Sequence, residues 1–247
     1  MNVGLDIGYS AVKMIAGDRW ATFPSVVGTP DRGRFGLNGH SSDELVLVEP
    51  AHVAVGEGAV LQSRFLTRRE DRGWIRSEAY YHLFLAALSE ATRATAVDLV
   101  LVTGLPVAFY SDRGDLQERL AGAHQVTREK RRGQRFNVAT CRVIPQPFGA
   151  LLAEALDDRG KVRDQALATR RAGVVDVGGK TTNLLSVDRL NEVGRETASI
   201  PLGAWDVARA VTGYLAEHCP GLELRDHQVQ EAIRERRVTY YDQEIDL

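Results

Sequence analysis

The chain has 247 residues, 44% of them hydrophobic and 26% charged, which is typical of a soluble globular protein. A formal net charge of -2 provides no global basic field for nucleic acid or anionic lipid, so direct binding to nucleic acid or to a membrane is not expected. Cys141 and Cys219 lie in no metal-ligand spacing, the N-terminus has no signal-peptide pattern, and no apolar run approaches the roughly 20 residues of a membrane span, so we expect a cytoplasmic protein.

The first part of the chain predicts short strands followed by one clear helix. VGLDIG and AVKMIAG predict two strands around a Gly-Tyr-Ser turn, and ATFPSVVG a third strand with Pro24 at its edge. Residues 28–44 predict a flexible surface loop. ELVLVEP and HVAVGEGA predict a hairpin, followed by a short helix from about Glu57 to Phe65. SEAYYHLFLAALSEAT is the clearest helix, with Ser77 suited to its N-cap.

The remaining elements continue the alternation of strands and helices. DLVLVTGLP predicts a buried strand, SDRGDLQERLAG a helix closed by Gly122, and RFNVATCRVIPQP another strand. PFGALLAEALDD predicts a helix with Pro147 in its first turn, followed by a charged linker over residues 159–171. AWDVARAVTGYLAEH and a piece from Asp226 to about Val238 predict the last two helices. This order indicates the α/β class.

A basic run, TREKRRGQR at residues 127–135, lies between two strand-like segments. Charge runs of this kind are usually solvated surface, so we interpret it as a hairpin tip in water. A contact with a partner or a polymer is the alternative.

The stretch VVDVGGKTTNLLSV contains Gly179-Lys180-Thr181, the last letters of a P-loop. A P-loop would need glycine at position 174, which is Val174, and a helix after the lysine. The residues from Thr181 to Val187 predict a strand instead, so the helix N-terminus that would bind the phosphates is missing. The Rossmann pattern G-x-G-x-x-G does not occur either.

A different phosphate-binding pattern occurs twice in the chain. VGLDIGYSAVKMI around Asp6 and GVVDVGGKTTNLL around Asp176 each combine a strand, an aspartate, a Gly-containing turn and a second strand. Glycine at such a turn lets backbone N–H groups approach a phosphate, and the aspartate is placed to hold a hydrated Mg²⁺. Two such hairpins facing one another would hold a triphosphate.

These paired motifs resemble the actin, heat-shock-chaperone and sugar-kinase superfamily of ATPases, and within it the bacterial and archaeal actin-like proteins of the ParM type. The resemblance runs from residue 2 to about 215 and includes VIPQPFGALLAEAL, FPSVVG, VAVGEGA and VTGLPVAFY. It implies an actin-like (ribonuclease H-like) fold of two related α/β domains around a nucleotide cleft. The expected domains are residues 1–150, and residues 151–247 as an incomplete second domain.

The resemblance also implies roles for individual residues. Asp6 and Asp176 would hold Mg²⁺ through its waters, Lys13 would direct its ammonium group at the phosphates, and Gln146 would orient the attacking water. The expected phosphate-binding residues of the two motifs are Gly8, Tyr9, Ser10, Gly178, Gly179, Lys180, Thr181 and Thr182. As alternatives, Lys13 could pair with a surface acid and Gln146 could cap a helix.

Two departures from the family pattern bear on this expectation. Asn183 stands where many relatives have an acidic residue, and we expect it to hydrogen-bond a water and so to tune hydrolysis. The 26 residues after Gly221 contain no glycine, whereas relatives close on the adenosine with a Gly-Gly turn. The adenosine clamp is therefore expected to be missing in part or whole, in a truncated or shortened relative.

The leading hypothesis is an actin-like ATPase that binds Mg²⁺ and ATP and polymerises into filaments, for the segregation of plasmid or other DNA. Any contact with DNA would run through an adaptor. A non-catalytic or truncated interaction module with weakened nucleotide binding is the alternative. A small-molecule kinase on the same fold would need a further carboxylate base, for which the sequence offers no strong candidate.

Overall fold

The structure of the protein, a computed structural model, describes residues 1–30, 45–63, 66–67, 71–224, 226–241 and 243–247. Most of the predicted surface loop at 28–44, and the predicted helix end at Phe65, lie outside the described residues. Gly28 is described and belongs to a strand, so the predicted loop begins too early. Two compact units are present, Met1–Asp176 with Asn183–Ser199, and Val177–Thr182 with Ile200–Leu247.

A ten-stranded sheet dominates the first unit. Its strands are β1 Asn2–Ile7, β2 Ala11–Ala16, β3 Arg19–Pro24, β4 Val27–Gly28, β5 Leu45–Glu49, β6 Val53–Val55, β7 Leu66–Thr67, β8 Ala96–Leu105, β9 Gly122–Arg128 and β10 Gln134–Pro145. Their order is β3-β2-β1-β8-β10-β9-β5-β6-β4-β7, with β1, β8 and β10 parallel and the β1–β2, β2–β3 and β9–β10 pairs antiparallel. The first two predicted strands and the β5–β6 hairpin are confirmed. The third predicted strand, residues 21–28, is corrected, because β3 ends at Pro24 and Val27–Gly28 form a separate strand that pairs with β6 and β7.

Helices cover this sheet, and the main core lies beneath one of them. The helices of the first unit are α1 Glu57–Gln62, α2 Glu78–Ala91, α3 Arg113–Leu120, α4 Gln146–Ala155 and α5 Gln165–Thr169. Ser77 caps α2 as predicted, because its hydroxyl accepts from the Tyr80 N–H at 3.1 Å. Alternate residues of β1 are buried in the same cluster as the fully buried Leu83 and Phe84 of α2. The buried face of the strand, formed by every second residue, therefore shares one core with the buried face of the helix.

A second, smaller sheet in the chain consists of β11 Arg171–Val177, β12 Thr182–Asp188, β13 Asn191–Glu192 and β14 Ala198–Ile200. β12 is central, with β11 and β14 as its neighbours and β13 pairing its end. Leu151 of α4 packs with Leu185 and Val187 of β12. The predicted linker at 159–171 was wrong in part, since it contains α5, whose N-cap Asp164 accepts from two backbone N–H groups.

The second unit contains α6 Ala204–His218, α7 Asp226–Glu235, β15 Arg237–Tyr240 and β16 Gln243–Asp246. Leu215, Cys219, Ala232 and Val238 form its apolar core. The predicted final helix was too long: Arg236 has a positive φ of 58°, which ends α7, and the chain continues as the antiparallel β15–β16 hairpin. Within the described residues, no helix combines the length and apolarity needed to cross a bilayer. The predicted domain boundary at residue 150 stays a prediction.

The basic run at 127–135 forms the predicted hairpin, but two of its side chains are not solvated. β9 and β10 pair with Gln134 opposite Val126. Arg128, only 4% exposed, forms an ion pair with Glu90 of α2, which Arg131 also approaches at 3.4 Å. The expectation of a wholly solvated tip is corrected, because this ion pair attaches the hairpin to α2.

We predict that Glu90→Ala lowers the free energy of unfolding by about 3 kcal/mol, because it removes a carboxylate that is paired with the buried Arg128 guanidinium. Urea denaturation monitored by circular dichroism measures this loss. Glu118→Ala, at an exposed position of α3, serves as the control and should shift the stability by no more than about 0.5 kcal/mol. Equal midpoints for the two variants would contradict the structural role of the ion pair.

Candidate functional site

The first predicted phosphate turn joins β1 to β2. Asp6 lies opposite Lys13 in the antiparallel register, and the Gly8 N–H donates to the Ala11 carbonyl oxygen at 3.1 Å. Tyr9 and Ser10 therefore form a two-residue loop. A Cβ on Gly8 would lie 3.3 Å from that carbonyl oxygen, so glycine keeps this closure unhindered.

Aromatic contacts hold the same turn from the side. The Tyr9 hydroxyl donates to the Asp71 carbonyl at 3.2 Å, and the Tyr9 ring centroid lies 6.2 Å from that of Trp74. The Trp74 indole N–H donates to the Ile7 carbonyl at 3.4 Å. Tyr9 thus anchors the turn with its side chain, a role that its position in the sequence motif did not indicate.

The second predicted phosphate turn has the same closure. The Gly178 N–H donates to the Thr181 carbonyl at 2.9 Å, leaving Gly179 and Lys180 as the two loop residues. A strand, β12, begins at Thr182, and this confirms that the Gly-Lys-Thr stretch is no P-loop. The Thr182 hydroxyl donates to the Leu202 carbonyl at 2.8 Å.

Helix α6 is attached directly to this second turn. The N–H groups of Ala204 and Trp205 donate to the carbonyls of Gly178 and Gly179 at 2.9 and 2.8 Å. A Cβ on Gly203 would lie 2.5 Å from the Gly179 oxygen, which is too close for any other residue type. Asp206 accepts from the Gly203 N–H at 2.8 Å and completes the helix start.

Gly203 and Asp206 are site residues that the sequence interpretation missed. The glycine followed three residues later by an aspartate, at the start of an apolar helix, is the signal that could have indicated the helix start. Only the fold reveals that this start contacts the second turn.

The predicted residues Asp6, Lys13, Gln146 and Asp176, all of the first unit, line one cavity of about 640 Å³. Much of the rest of its lining comes from apolar residues, among them Ile15, Trp20, Val102 and Ile144. Asp6 and Asp176 are the only carboxylates among its described lining residues. Gly8, Tyr9 and Ser10 are not among the lining residues, and residues 178–182 belong to the second unit.

Asp6 has two polar neighbours in this cavity. The Gln146 Nε2 donates to its Oδ1 at 2.9 Å, and the Lys13 ammonium lies 3.8 Å from its Oδ2. Burial raises the pKa of Asp6 above its ordinary value of 3.8, and the Asp176 charge also raises it, whereas Lys13 and the Gln146 hydrogen bond lower it. The two carboxylates are therefore near enough to repel each other.

Two alternative interpretations were open: that Gln146 caps a helix and that Lys13 pairs with a surface acid. Gln146 is the first residue of α4, whose N-cap is Pro145 without a side-chain cap, so the amide contacts Asp6 and does not cap the helix. Lys13 is 70% exposed and does approach an acid, but that acid is Asp6 of the phosphate motif.

Asn183 is buried behind Asp176 and fully engaged with the protein. It is 1% exposed, and its Nδ2 donates to the Asp176 Oδ2 at 3.3 Å. Its Oδ1 accepts from the Ser199 hydroxyl at 2.7 Å and from the Val107 N–H at 3.3 Å. These contacts orient Asp176, while the predicted contact of Asn183 with a water stays a prediction.

The oxygen donors at the cavity fit a magnesium ion better than a transition metal. Two carboxylates suit a cation that keeps most of its waters and takes few protein ligands. No group of three or more His, Cys, Asp or Glu side chains in the described part of the chain is arranged to hold a metal directly.

Comparison with known proteins shows which family has this architecture. The family model described as "Actin like proteins N terminal domain" matches residues 4–149, more than half of the chain. The archaeal actin homolog Ta0583 matches with a TM-score of 0.80 and 25% identity, over 100% of this chain and 75% of that chain. The subunit of a ParM filament from Clostridium botulinum matches with a TM-score of 0.75 and 22% identity, over 100% of this chain and 77% of that one. A search of curated proteins found no match.

The fold and the paired hairpins thus define an α/β protein with the actin-like architecture. The chain belongs to the family of actin-like proteins, and the predicted likeness to the ParM type is confirmed.

We predict that the Asp6 carboxyl titrates above its ordinary pKa of 3.8, since burial disfavours its charged form. Its protonated fraction at mildly acidic pH is then larger than that of an ordinary aspartate. Lys13→Ala and Gln146→Ala should each raise this pKa further, because each removes a group that stabilises the carboxylate. Carbon-detected NMR titration of the carboxyl measures the pKa, with Gln125→Ala on the exposed side of β9 as the control. A pKa at or below 3.8 would show that desolvation does not control the titration of this carboxyl.

We also predict that Gly203→Ala lowers the free energy of unfolding of the second unit by about 2 kcal/mol, because its methyl group meets two carbonyls of the turn. Gly213→Ala is a matched control in the same helix, with no atom within 4 Å of the new Cβ, and should stabilise the helix by up to about 1 kcal/mol. Hydrogen exchange of the Ala204 and Trp205 amides measures the effect. Unchanged protection in Gly203→Ala would show that the turn does not depend on this close approach.

Proposed function

We propose that this protein binds Mg²⁺ and ATP with its two phosphate hairpins, hydrolyses ATP slowly, and polymerises into filaments. The observation that carries the proposal is the cavity in which Asp6 and Lys13 of the first hairpin meet Gln146 and Asp176, which are far from them in sequence. An ADP complex of the archaeal actin homolog Ta0583, a protein of the same fold, supports nucleotide as the ligand.

In this proposal the turns supply backbone N–H groups to the phosphates. The Gly8 and Gly178 N–H groups close the two turns by donating to the carbonyls of Ala11 and Thr181. The backbone amides of the two turns, from Gly8 to Ser10 and from Gly178 to Lys180, are the groups that we propose face the phosphates. Thr181 and Thr182 follow the second turn and would lie beside the phosphates in this proposal. Lys13 adds a positive charge opposite Asp6.

Asp6 and Asp176 are the residues that would hold the magnesium ion, through its waters. A bound Mg²⁺ would neutralise phosphate charge in the transition state. Asn183 and Gln146 each donate a hydrogen bond to one of the two carboxylates and keep it oriented. Asn183 is therefore a positioning residue in this proposal.

Gln146 is the residue that would orient the attacking water. Its Nε2 is held on Asp6, which leaves its Oε1 as the acceptor for a water proton. A neutral amide positions water but does not remove a proton strongly, and this accounts for slow hydrolysis.

Polymerisation is proposed from the likeness to ParM proteins. One matched structure is a 15-stranded ParM filament, and another is a ParM variant described as non-polymerisable. By analogy, this chain would self-associate in the cytoplasm and segregate plasmid or other DNA through a DNA-binding adaptor. The formal net charge of -2 favours an adaptor over direct binding to DNA.

Asp176→Asn should lower the rate of ATP hydrolysis about 100-fold, because it removes a charge from the proposed magnesium site. Phosphate release, followed together with sedimentation of filaments in ATP and Mg²⁺, measures both activities. Asp188→Asn, at an exposed position at the end of β12, is the matched control and should behave as the wild type. If the wild-type chain neither hydrolyses ATP nor sediments with it, the ATPase proposal is wrong, and the non-catalytic interaction module is favoured.

A further inference from the structure

Gly104, near the end of β8, lies against the first residue of α4. β8 and β10 run parallel, with Gly104 opposite Ile144 and Leu105 opposite Pro145. α4 begins at Gln146, directly after β10, so its first turn starts beside the end of β8. The two residues are therefore neighbours across the sheet edge although 42 positions separate them.

The contact leaves no room for a side chain on Gly104. A Cβ at this position would lie 2.8 Å from the Gln146 Cγ and 3.3 Å from the Gln146 Cα. The first distance is shorter than a carbon–carbon van der Waals contact, and the second atom belongs to the backbone. Gly104 does not have a left-handed φ, so clearance and not backbone conformation explains the glycine.

The Cβ and Cγ atoms of Gln146, the residue whose amide contacts Asp6, occupy the space beside Gly104. Gln146 Cγ must lie near Gly104 for Nε2 to donate to the Asp6 Oδ1 at 2.9 Å. A methyl group on Gly104 would push this stem away, and a rotation at Cβ or Cγ moves the terminal amide. Gly149, three residues further along α4, would meet only an ordinary contact at 3.5 Å, so the constraint is specific to Gly104.

We propose that Gly104 is a positioning residue whose missing side chain places the Gln146 amide on Asp6. Its consequence for ATP hydrolysis rests on the function proposed above. Gly104 lines the same cavity as Gln146, and in this proposal it acts through the Gln146 side chain. A glycine with a purely structural role would change stability when substituted and would leave the Gln146 amide in place.

The experiment is a double-mutant cycle of Gly104→Ala and Gln146→Ala in the full chain. Gly173→Ala is the control, because its new Cβ would meet its nearest atom, the Leu185 carbonyl oxygen, at an ordinary 4.0 Å in strand β11. Two readouts are recorded for each variant. One is the side-chain amide NMR signal of Gln146, assigned by its disappearance in Gln146→Ala, and the other is the turnover and KM for ATP with Mg²⁺.

In Gly104→Ala we expect the Gln146 amide signal to move to the position of a solvated glutamine. We expect kcat to fall about 10- to 100-fold with KM within about twofold of wild type. The double variant should be no slower than Gln146→Ala, because the side chain that clashes is already absent. Gly173→Ala should leave both readouts unchanged.

An unmoved Gln146 amide signal, or losses in kcat that multiply in the double variant, would overturn the proposal. If Gly104→Ala fails to fold, the double variant decides: recovery of folding supports the clash with Gln146, and continued failure overturns it. If the amide signal moves but neither variant changes turnover, the positioning role stands, and the proposed role of Gln146 in hydrolysis is wrong.

Discussion

Two hydrogen bonds from amide side chains hold the carboxylates on which the site depends. Gln146 donates to Asp6 and Asn183 donates to Asp176, within a cavity where burial, and to a smaller extent the Asp176 charge, raise the pKa of Asp6. Such a pair is stable only while polar neighbours compensate part of the repulsion and of the lost hydration. Lys13 supplies part of this compensation for Asp6. In the proposed function, a cation bound through water would supply the rest.

Close backbone approach is the second constraint that runs through the molecule. Gly8 and Gly178 close two turns of the same form, Gly203 lets α6 bind the second turn, and Gly104 leaves space for Gln146. At each position a Cβ would lie within 3.3 Å of a carbonyl oxygen or of the Gln146 side chain. At each of these positions a side chain would displace the neighbouring backbone or the Gln146 side chain.

Local patterns were enough to predict much of this fold, and tertiary contacts explain what they missed. The hairpins around Asp6 and Asp176, the Ser77 cap and the strand after Lys180 each follow from residues within a few positions of one another. The β15–β16 hairpin was missed because it follows a positive φ at Arg236, a residue type that gives no turn signal. The sequence predicted a solvated Arg128, because its partner Glu90 lies 38 positions away. For the same reason the engagement of Asn183 with Ser199 and Val107 has no signature in the sequence.

The assignment of Asp6 and Asp176 to a magnesium ion is tested most directly by the affinity of this chain for ATP. Calorimetric titration measures this affinity, once with excess Mg²⁺ and once with EDTA. We expect binding that depends on Mg²⁺ in the wild type and that loses this dependence in Asp6→Asn. Binding of equal strength with and without the metal, or a metal dependence that survives Asp6→Asn, would contradict the assignment of the two carboxylates to the cation.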